Sequence, residues 1–310
     1  MPASTPARWT DRLLVRRALW VVPLVVVVLA VIVLVAIWIR STPAGRDFIG
    51  TYSGFSPLPA GTAVGIPVWL EWQHFLNSLF IILIIRTGWQ VRTTRRPTMF
   101  WTRKNTGAIR TKNPPRKISL TLWLHLSLDV LWMLNGVVFY VLLFSTGQWA
   151  RIVPVHWNVF PNAVSALLQY ASFNWPAENG WSNYNSLQLL AYFVTVFIAA
   201  PLAILSGVRM SSFWPRDSKR MSRAYPVEVA RAIHFPVMIY FVAFVIVHVT
   251  LVATTGVQRN LNHMYAARND ESLDGVWIFA ISVLVIAGLW LLARPILLRP
   301  VAELTGKVGR

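Results

Sequence analysis

One apolar stretch constrains the fold of this chain more than any other feature. It runs from Arg231 to Leu251, RAIHFPVMIYFVAFVIVHVTL, with His234 near its start and His248 near its end. As an α-helix this stretch is long enough to cross a bilayer, and the step between its histidines rises about 21 Å. Successive turns of about 100° per residue also return the second side chain to nearly the same face. The sequence therefore predicts two imidazoles on one face of a membrane helix, one near each surface.

The composition supports a membrane protein and limits the cofactors that it can hold. Of the 310 residues 55% are hydrophobic, and the mean hydropathy is +0.53, which is typical of integral membrane proteins. Cysteine is absent, so disulfides, thiolate-held iron–sulfur clusters and covalently attached haem are excluded. Any metal site must therefore use His, Met or carboxylate ligands.

Six apolar stretches predict an all-α membrane protein with six transmembrane helices. They lie at residues 18–39, 69–85, 118–144, 187–207, 231–251 and 276–292. We expect spans two to five to form a four-helix core over residues 69–253, with one extra helix at each end, at 18–39 and 276–294. Basic tails, 1–17 and 295–310, complete the predicted domains.

The segments outside these spans alternate in charge. Residues 1–17, 86–117 and 208–231 and the segment after the last span, 293–310, hold 24 of the 29 Lys and Arg, and the three other loops hold five. By the positive-inside rule both termini are cytoplasmic. The net charge of +18 therefore indicates orientation in a lipid bilayer, and no nucleic-acid partner is expected.

Four histidines inside the predicted spans fall into two pairs of equal depth. Span two enters from outside, which places His74 near the outer surface, and span three enters from inside, which places His125 near the inner surface. His248 is the outer and His234 the inner histidine of span five. A buried polar ring needs a partner, and the pairs His74–His248 and His125–His234 suit two stacked haem b groups. The competing interpretation is that these histidines bind headgroups or neighbouring side chains.

Two stretches and one further histidine resemble a known family. RAIHFPVMIYFVAFVIVHVTL looks like the two-ligand helix of the bacterial cytochrome b561/nickel-hydrogenase b-subunit family, and WQHFLNSLFIILIIRTG looks like its first ligand helix. His125 lies where that family's second helix supplies one ligand. The resemblance covers residues 69–260, and the family includes formate dehydrogenase gamma subunits and thiosulfate reductase b subunits. This chain departs from the family's usual pattern by adding a span in front.

The resemblance implies a di-haem electron carrier of the bacterial inner membrane. The family's ligand pattern pairs His74 with His248, and His125 with His234, in agreement with their depths. It also implies a catalytic redox subunit as partner, either molybdopterin-dependent or hydrogenase-like, and quinone as exchangeable substrate.

Five further residues are candidates for supporting roles. Asp129 lies one turn from His125 and suits proton transfer or quinone contact, unless it only hydrogen bonds to Ser127 or Asn135. Glu71 and Asn77 flank His74 and are candidates for an outer quinone pocket. Two further residues are candidates for cofactor binding: Arg231 to neutralise a haem propionate, and Gly136 to make room for a porphyrin. His156 and His263 lie beyond the spans and are expected to be solvated or to face a partner.

These observations predict a membrane subunit that carries electrons between the quinone pool and a partner oxidoreductase in a respiratory chain. Two alternatives stay open at this stage. One is a self-contained, quinone-linked enzyme resembling superoxide oxidase, and the other is a haem-free, proton-coupled transporter that uses the histidines and Asp129.

Overall fold

The six predicted spans are helices in the computed structural model, which describes residues 9–106, 110, 114–175, 179–211, 214–215 and 218–310. Of residues 9–18 only the backbone is described. The helices long and apolar enough to cross a membrane are Leu19–Ser41, Val68–Thr93, Leu120–Ser145, Ser186–Met210, Val227–Thr254 and Asp274–Leu292. The predicted all-α membrane fold is therefore confirmed. The proposed domain boundaries stay a prediction, and residues 1–8 of the basic tail lie outside the described residues.

The helical elements are numbered here in chain order. They are α1 Trp9–Ser41, α2 Pro43–Thr51, α3 Val68–Thr93, α4 Leu120–Ser145, α5 Val159–Ala171, α6 Ser186–Phe193, α7 Ala200–Met210, α8 Lys219–Ala224, α9 Val227–Thr254, α10 Val257–Tyr265, α11 Asp274–Leu292 and α12 Pro295–Glu303. A short 3₁₀ turn, Gln148–Arg151, follows α4.

Several helices extend beyond the apolar stretches that predicted them. Helix α3 continues through the Arg-Thr-Gly sequence at 86–88 to Thr93, and α9 begins at Val227 rather than at Arg231. Hydropathy predicts only the part of a helix that lies in the hydrocarbon. Backbone hydrogen bonding does not depend on hydropathy, so the helix can continue into the polar region. Arg92 in the last turn of α3 also complements the negative end of the helix dipole.

The fourth span is interrupted by a π-helical segment. Residues Val194–Ala199 form this segment between α6 and α7, and Pro201 lies in the first turn of α7. Proline has no N–H to donate and its ring clashes with the carbonyl one turn earlier, so the helix widens where the proline follows. The Tyr140 hydroxyl donates to the Val196 carbonyl at 2.6 Å, which satisfies an acceptor in this segment.

A small antiparallel sheet was not predicted. Its strands are β1 Phe100–Arg103, β2 Lys117–Ser119 and β3 Gly306–Gly309, in the order β2-β1-β3. Trp101 pairs with Ile118 on one side and with Val308 on the other. The sheet thus joins the basic segment 86–117 to the C-terminal tail, two parts of the chain that sequence distance alone would not connect.

The chain divides into two units. The first comprises Met1–Pro57, Pro154–Glu178 and Tyr184–Leu190. Within it the Asn162 side chain accepts a hydrogen bond from the Gly54 amide at 3.0 Å, and the Ser56 and Ser186 hydroxyls lie 2.8 Å apart.

The second unit comprises Leu58–Val153, Asn179–Asn183 and Ala191–Arg310 and contains all four intramembrane histidines. In it α3 packs against α4, and α7 packs against α9. Its buried apolar cluster consists of Ala199, Val237 and Phe241.

Candidate cofactor-binding site

The four histidines form two separate pairs along α9. The ring centroids of His74 and His248 lie 6.2 Å apart, and those of His125 and His234 lie 6.5 Å apart. We call His74–His248 pair A and His125–His234 pair B. Pair B lies at the end of the spans that leads into the Lys- and Arg-rich segments 86–117 and 208–231, which we call the basic end.

Hydroxyl groups orient both imidazoles of pair B. Thr87 Oγ1 lies 2.9 Å from His125 Nδ1, and Ser206 Oγ lies 3.0 Å from His234 Nδ1. Each hydroxyl already donates its only hydrogen to a carbonyl one turn back in its own helix. It must therefore accept from the imidazole, which places the proton on Nδ1. The Nε2 lone pair of each ring is left available for a metal ion.

Glycines follow both hydroxyl residues and touch the same two rings. A Cβ added to Gly88 would lie 3.2 Å from His125 Cε1, which is closer than ordinary packing allows. A Cβ added to Gly207 would lie 3.5 Å from His234 Cε1, which is ordinary van der Waals contact. A hydroxyl residue followed by glycine therefore both orients a ring and lets it pack closely, once on α3 and once on α7.

Aromatic rings surround pair A instead of hydroxyl groups. Phe244 stacks nearly parallel to the His248 ring at 5.6 Å, and Tyr265 of α10 meets the His74 ring edge-on at 5.4 Å. His74 Nδ1 is buried without a hydrogen-bond partner among the described residues. Burial raises the pKa of the Tyr265 phenol, so this ring is neutral beside the pair.

Two aromatic side chains lie between the pairs. Phe241 lies on α9 midway between His234 and His248 in sequence, and the Trp132 ring meets it edge-on at 6.3 Å. The Trp132 indole donates to Asn77 Oδ1 at 3.0 Å, and the Asn77 amide donates to the Gln73 carbonyl at 2.8 Å. Asn77 therefore fixes the ring between the pairs.

The other predicted residues occupy different surroundings. Asp129 Oδ2 lies 3.7 Å from His125 Nε2, too far for a hydrogen bond. The Ser127 hydroxyl, which was one expected partner of Asp129, donates to the Trp123 carbonyl instead. Glu71 Oε1 is buried without a hydrogen-bond partner among the described residues. Arg231 is exposed.

Gly136 borders open space. A Cβ added to it would have no neighbour within 4 Å, so the structure leaves clearance beside this glycine.

The expectation for the two histidines outside the spans is half right. His156 is exposed as expected, but His263 is buried, with 3% of its surface accessible. Its Nε2 lies 2.8 Å from Asn269 Oδ1, and its ring packs on Trp181 at 5.5 Å. The prediction was wrong for His263 because the segment after α9 folds back as α10, and burial there lowers the pKa of the imidazole.

The geometry of both pairs fits a bis-histidyl haem. A metal–nitrogen bond of about 2 Å places an imidazole centroid about 3 Å from the metal, so rings on opposite sides of one iron have centroids about 6 Å apart. Among the described residues, no three or more His, Cys, Asp or Glu side chains cluster to hold a metal ion. Each pair could thus offer two imidazole ligands to one metal ion, and a planar macrocycle would have to supply the rest.

Comparison with known proteins identifies the family. Residues 65–266, well over half of the chain, match the family described as prokaryotic cytochrome b561. The chain belongs to the prokaryotic cytochrome b561 family. The family predicted from the sequence is thus confirmed, and this member is a multi-pass membrane electron-transfer protein of a family that binds haem b.

One curated relative is similar to this chain over 198 residues. The b561-family chain is 25% identical over 198 residues to the "Putative protein-methionine-sulfoxide reductase subunit YedZ1" of Azospira oryzae. That alignment covers 60% of this chain and 89% of the relative. No solved structure matches this member of the family.

The sequence reasoning missed the residues that surround the histidines. Ser206 and Gly207 repeat, on the fourth span, the Thr-Gly sequence that closes the second span at residues 87 and 88. That repetition was a usable signal, because both sequences stand at the basic end of a span. Tyr265 carried no comparable signal, since only the fold of α10 brings it to His74.

Proposed function

We propose that this protein is a di-haem b-type cytochrome subunit that carries electrons between the quinone pool and a partner oxidoreductase. One observation carries the proposal: two imidazole pairs with centroid separations of 6.2 and 6.5 Å lie at successive positions along α9. Pair A and pair B are the proposed axial ligand sets, one for each haem. Bound in these sites, haem supplies reversible one-electron chemistry at a potential that the protein tunes.

The chain's own residues hold the ligands in the required state. Thr87 and Ser206 keep the protons of pair B on Nδ1, which leaves the Nε2 lone pairs available as ligands. The aromatic neighbours of pair A restrict its rings by packing and exclude water. Gly136 is the proposed clearance for a porphyrin edge, and Arg231 the proposed counter-charge for a propionate at the basic end.

Quinone is the proposed exchangeable substrate, and the support is the presence of a carboxylate near each histidine pair. Asp129 lies beside pair B, and the buried Glu71 Oε1 is free to accept a proton or a hydrogen bond near pair A. Carboxylates held inside a membrane span are typical of proton-transfer sites. Asn77 is already engaged with Trp132, so within this proposal it positions that ring.

A catalytic redox subunit is the proposed partner. The name of the Azospira relative describes a reductase subunit. The described residues of this chain form membrane helices, short helices and a small sheet, without a separate substrate domain. We extend that role to this chain, with a molybdopterin-dependent or hydrogenase-like enzyme as the proposed partner class.

Haem quantitation tests the proposal directly. We expect a pyridine haemochrome assay on the purified protein to give about two non-covalent b-type haems per chain, because each histidine pair holds one iron and no cysteine is present to bind haem covalently. A ratio near one would contradict the two-site assignment. Purified, folded protein without haem would favour the proton-coupled transporter.

Both termini are proposed to face the cytoplasm of a bacterial cell. The support is the distribution of Lys and Arg, 24 of 29 of which lie in residues 1–17 and 293–310 and in two of the loops. Single cysteines at Thr106 and Asn174 of this cysteine-free chain test the orientation with an impermeant thiol reagent. We expect intact cells to label position 174 and to protect position 106, and the reverse pattern would invert the topology.

A further inference from the structure

A cavity lies at the basic end, apart from both histidine pairs. Its volume is about 250 Å³, and it is lined by the end of α3, the start of α4 and the junction of α11 with α12. Three of its lining residues are arginines, Arg86, Arg96 and Arg294, and none of its described lining residues is acidic. The cavity is therefore strongly positive, and nothing in the electron-transfer function requires that.

Arg86 is the partly buried member of this group, whereas Arg96 and Arg294 are exposed. Its Nη2 donates to the Ala293 carbonyl at 3.0 Å, and its guanidinium lies 5.1 Å from the centroid of the Trp290 ring. These contacts fix the planar group, while Nη1 is buried without a hydrogen-bond partner among the described residues. Burying a guanidinium N–H without an acceptor costs free energy. The unpaired Nη1 therefore indicates that an anionic ligand binds here.

The neutral donors beside Arg86 suit the same ligand. Gln90 follows Arg86 by four residues on α3, which places both on one face of the helix. Thr94, the residue directly after α3, and Thr121 of α4 also line the cavity. Guanidinium groups bind phosphate through paired charge-assisted hydrogen bonds, and amide or hydroxyl groups complete the set.

Helix α12 indicates where the ligand comes from. It begins at Pro295, directly after the last span, and exposes Ile296 (72%), Val301 (54%) and Leu304 (76%). Exposed apolar side chains on a short helix with Arg299 on it are typical of a helix lying in the membrane interface. The cavity beneath its first turn is thus at the depth of lipid headgroups.

We propose that this cavity binds the phosphate of an anionic phospholipid, with Arg86 and Arg294 as the main contacts. Basic pockets between membrane helices at this kind of surface hold such headgroups. The bound lipid would tie the end of α3 to the junction of α11 and α12, and so support Thr87, the residue next to Arg86, against His125. This site is independent of the haem assignment and of the partner.

The test uses delipidated, purified full-length protein in neutral detergent. Thermal-shift titrations compare phosphatidylglycerol, phosphatidylcholine with the same acyl chains, and inorganic phosphate. We expect phosphatidylglycerol to stabilise the protein, phosphatidylcholine to have little effect, and Arg86→Gln or Arg294→Gln to weaken phosphatidylglycerol binding about tenfold or more, since each loses charge-assisted hydrogen bonds. Arg95→Gln, an exposed arginine on the same segment but outside the cavity, is the matched control.

Four results would overturn the proposal. Equal stabilisation by phosphatidylcholine would show that the lipid's charge is irrelevant. Equal stabilisation by inorganic phosphate would identify a soluble anion as the ligand. Unchanged phosphatidylglycerol binding in Arg294→Gln would exclude this cavity even if Arg86→Gln does not fold. Loss of one haem component in Arg86→Gln with unchanged phosphatidylglycerol binding would assign its guanidinium to a haem propionate instead.

Discussion

We expect His74→Ala and His248→Ala each to remove the same haem component from the reduced-minus-oxidised spectrum. We expect His125→Ala and His234→Ala each to remove the other component. The reason is geometric, because an imidazole binds iron from above or below the macrocycle and two partners must therefore face each other. The ring centroids within each pair lie 6.2 and 6.5 Å apart. Each variant should retain about one haem, since removing one axial ligand leaves a site with a single protein ligand.

The controls for this prediction separate ligation from general damage. His156→Ala removes an exposed histidine outside the spans and should keep both haem components. Thr87→Val removes only the acceptor for His125 Nδ1–H and should keep both haems but raise the midpoint potential of one, because a ligand that loses this hydrogen bond donates less charge to iron. Thr87→Ser should restore the original potential. Loss of one shared component in both His74→Ala and His125→Ala would contradict the pairing.

We expect quinol-linked reduction of the partner to be lost when either histidine pair is disrupted, because the proposed electron path uses both haems in series. The two pairs lie in succession along α9, with Trp132 and Phe241 between them. No other described histidine pair offers a parallel route. A variant such as His248→Ala should therefore keep a reducible haem at pair B and still lose turnover by at least about a hundredfold, a loss of roughly 3 kcal/mol in transition-state terms.

The measurement uses the cytochrome together with its catalytic partner. Quinol oxidation is followed with the partner's acceptor present, while dithionite reduction reports the haem that stays bound. His156→Ala again serves as the control and should turn over normally. Normal quinol-linked turnover in His74→Ala or in His125→Ala would show that the pairs do not act in series.

Much of the histidine geometry could be predicted from the sequence because it depends on helix periodicity and on depth alone. An apolar stretch of the length of a bilayer specifies a helix, and the spacing of His234 and His248 places them on one face. The charge alternation of the loops then assigns His74 and His125 to opposite ends. None of these steps requires knowledge of helix packing. The imidazole rings that lie close together in the structure are those that were predicted to lie at the same depth in the membrane.

The surroundings of the histidines could not be predicted because they depend on contacts between distant segments. Ser206 reaches His234 only because α7 packs against α9, and Tyr265 reaches His74 only because α10 folds back after Gly256. Gly256 has φ of 118°, a left-handed conformation that favours glycine, and it turns the chain at that point. Its position beyond the spans made His263 look solvated, but the fold that follows this turn buries it.

The sequence by itself thus determined the six helices, the family and the depth of each histidine, because hydropathy and helical period act locally. Only the tertiary structure decided which hydroxyl sets the proton position of each ring, which aromatic side chains separate the pairs, and where the basic segments enclose a cavity. Arg86 illustrates the difference. In the sequence it is one of many positive residues at a span end, whereas in the fold Trp290 and the Ala293 carbonyl hold its guanidinium in place. Helix packing here brings together residues that lie about two hundred positions apart.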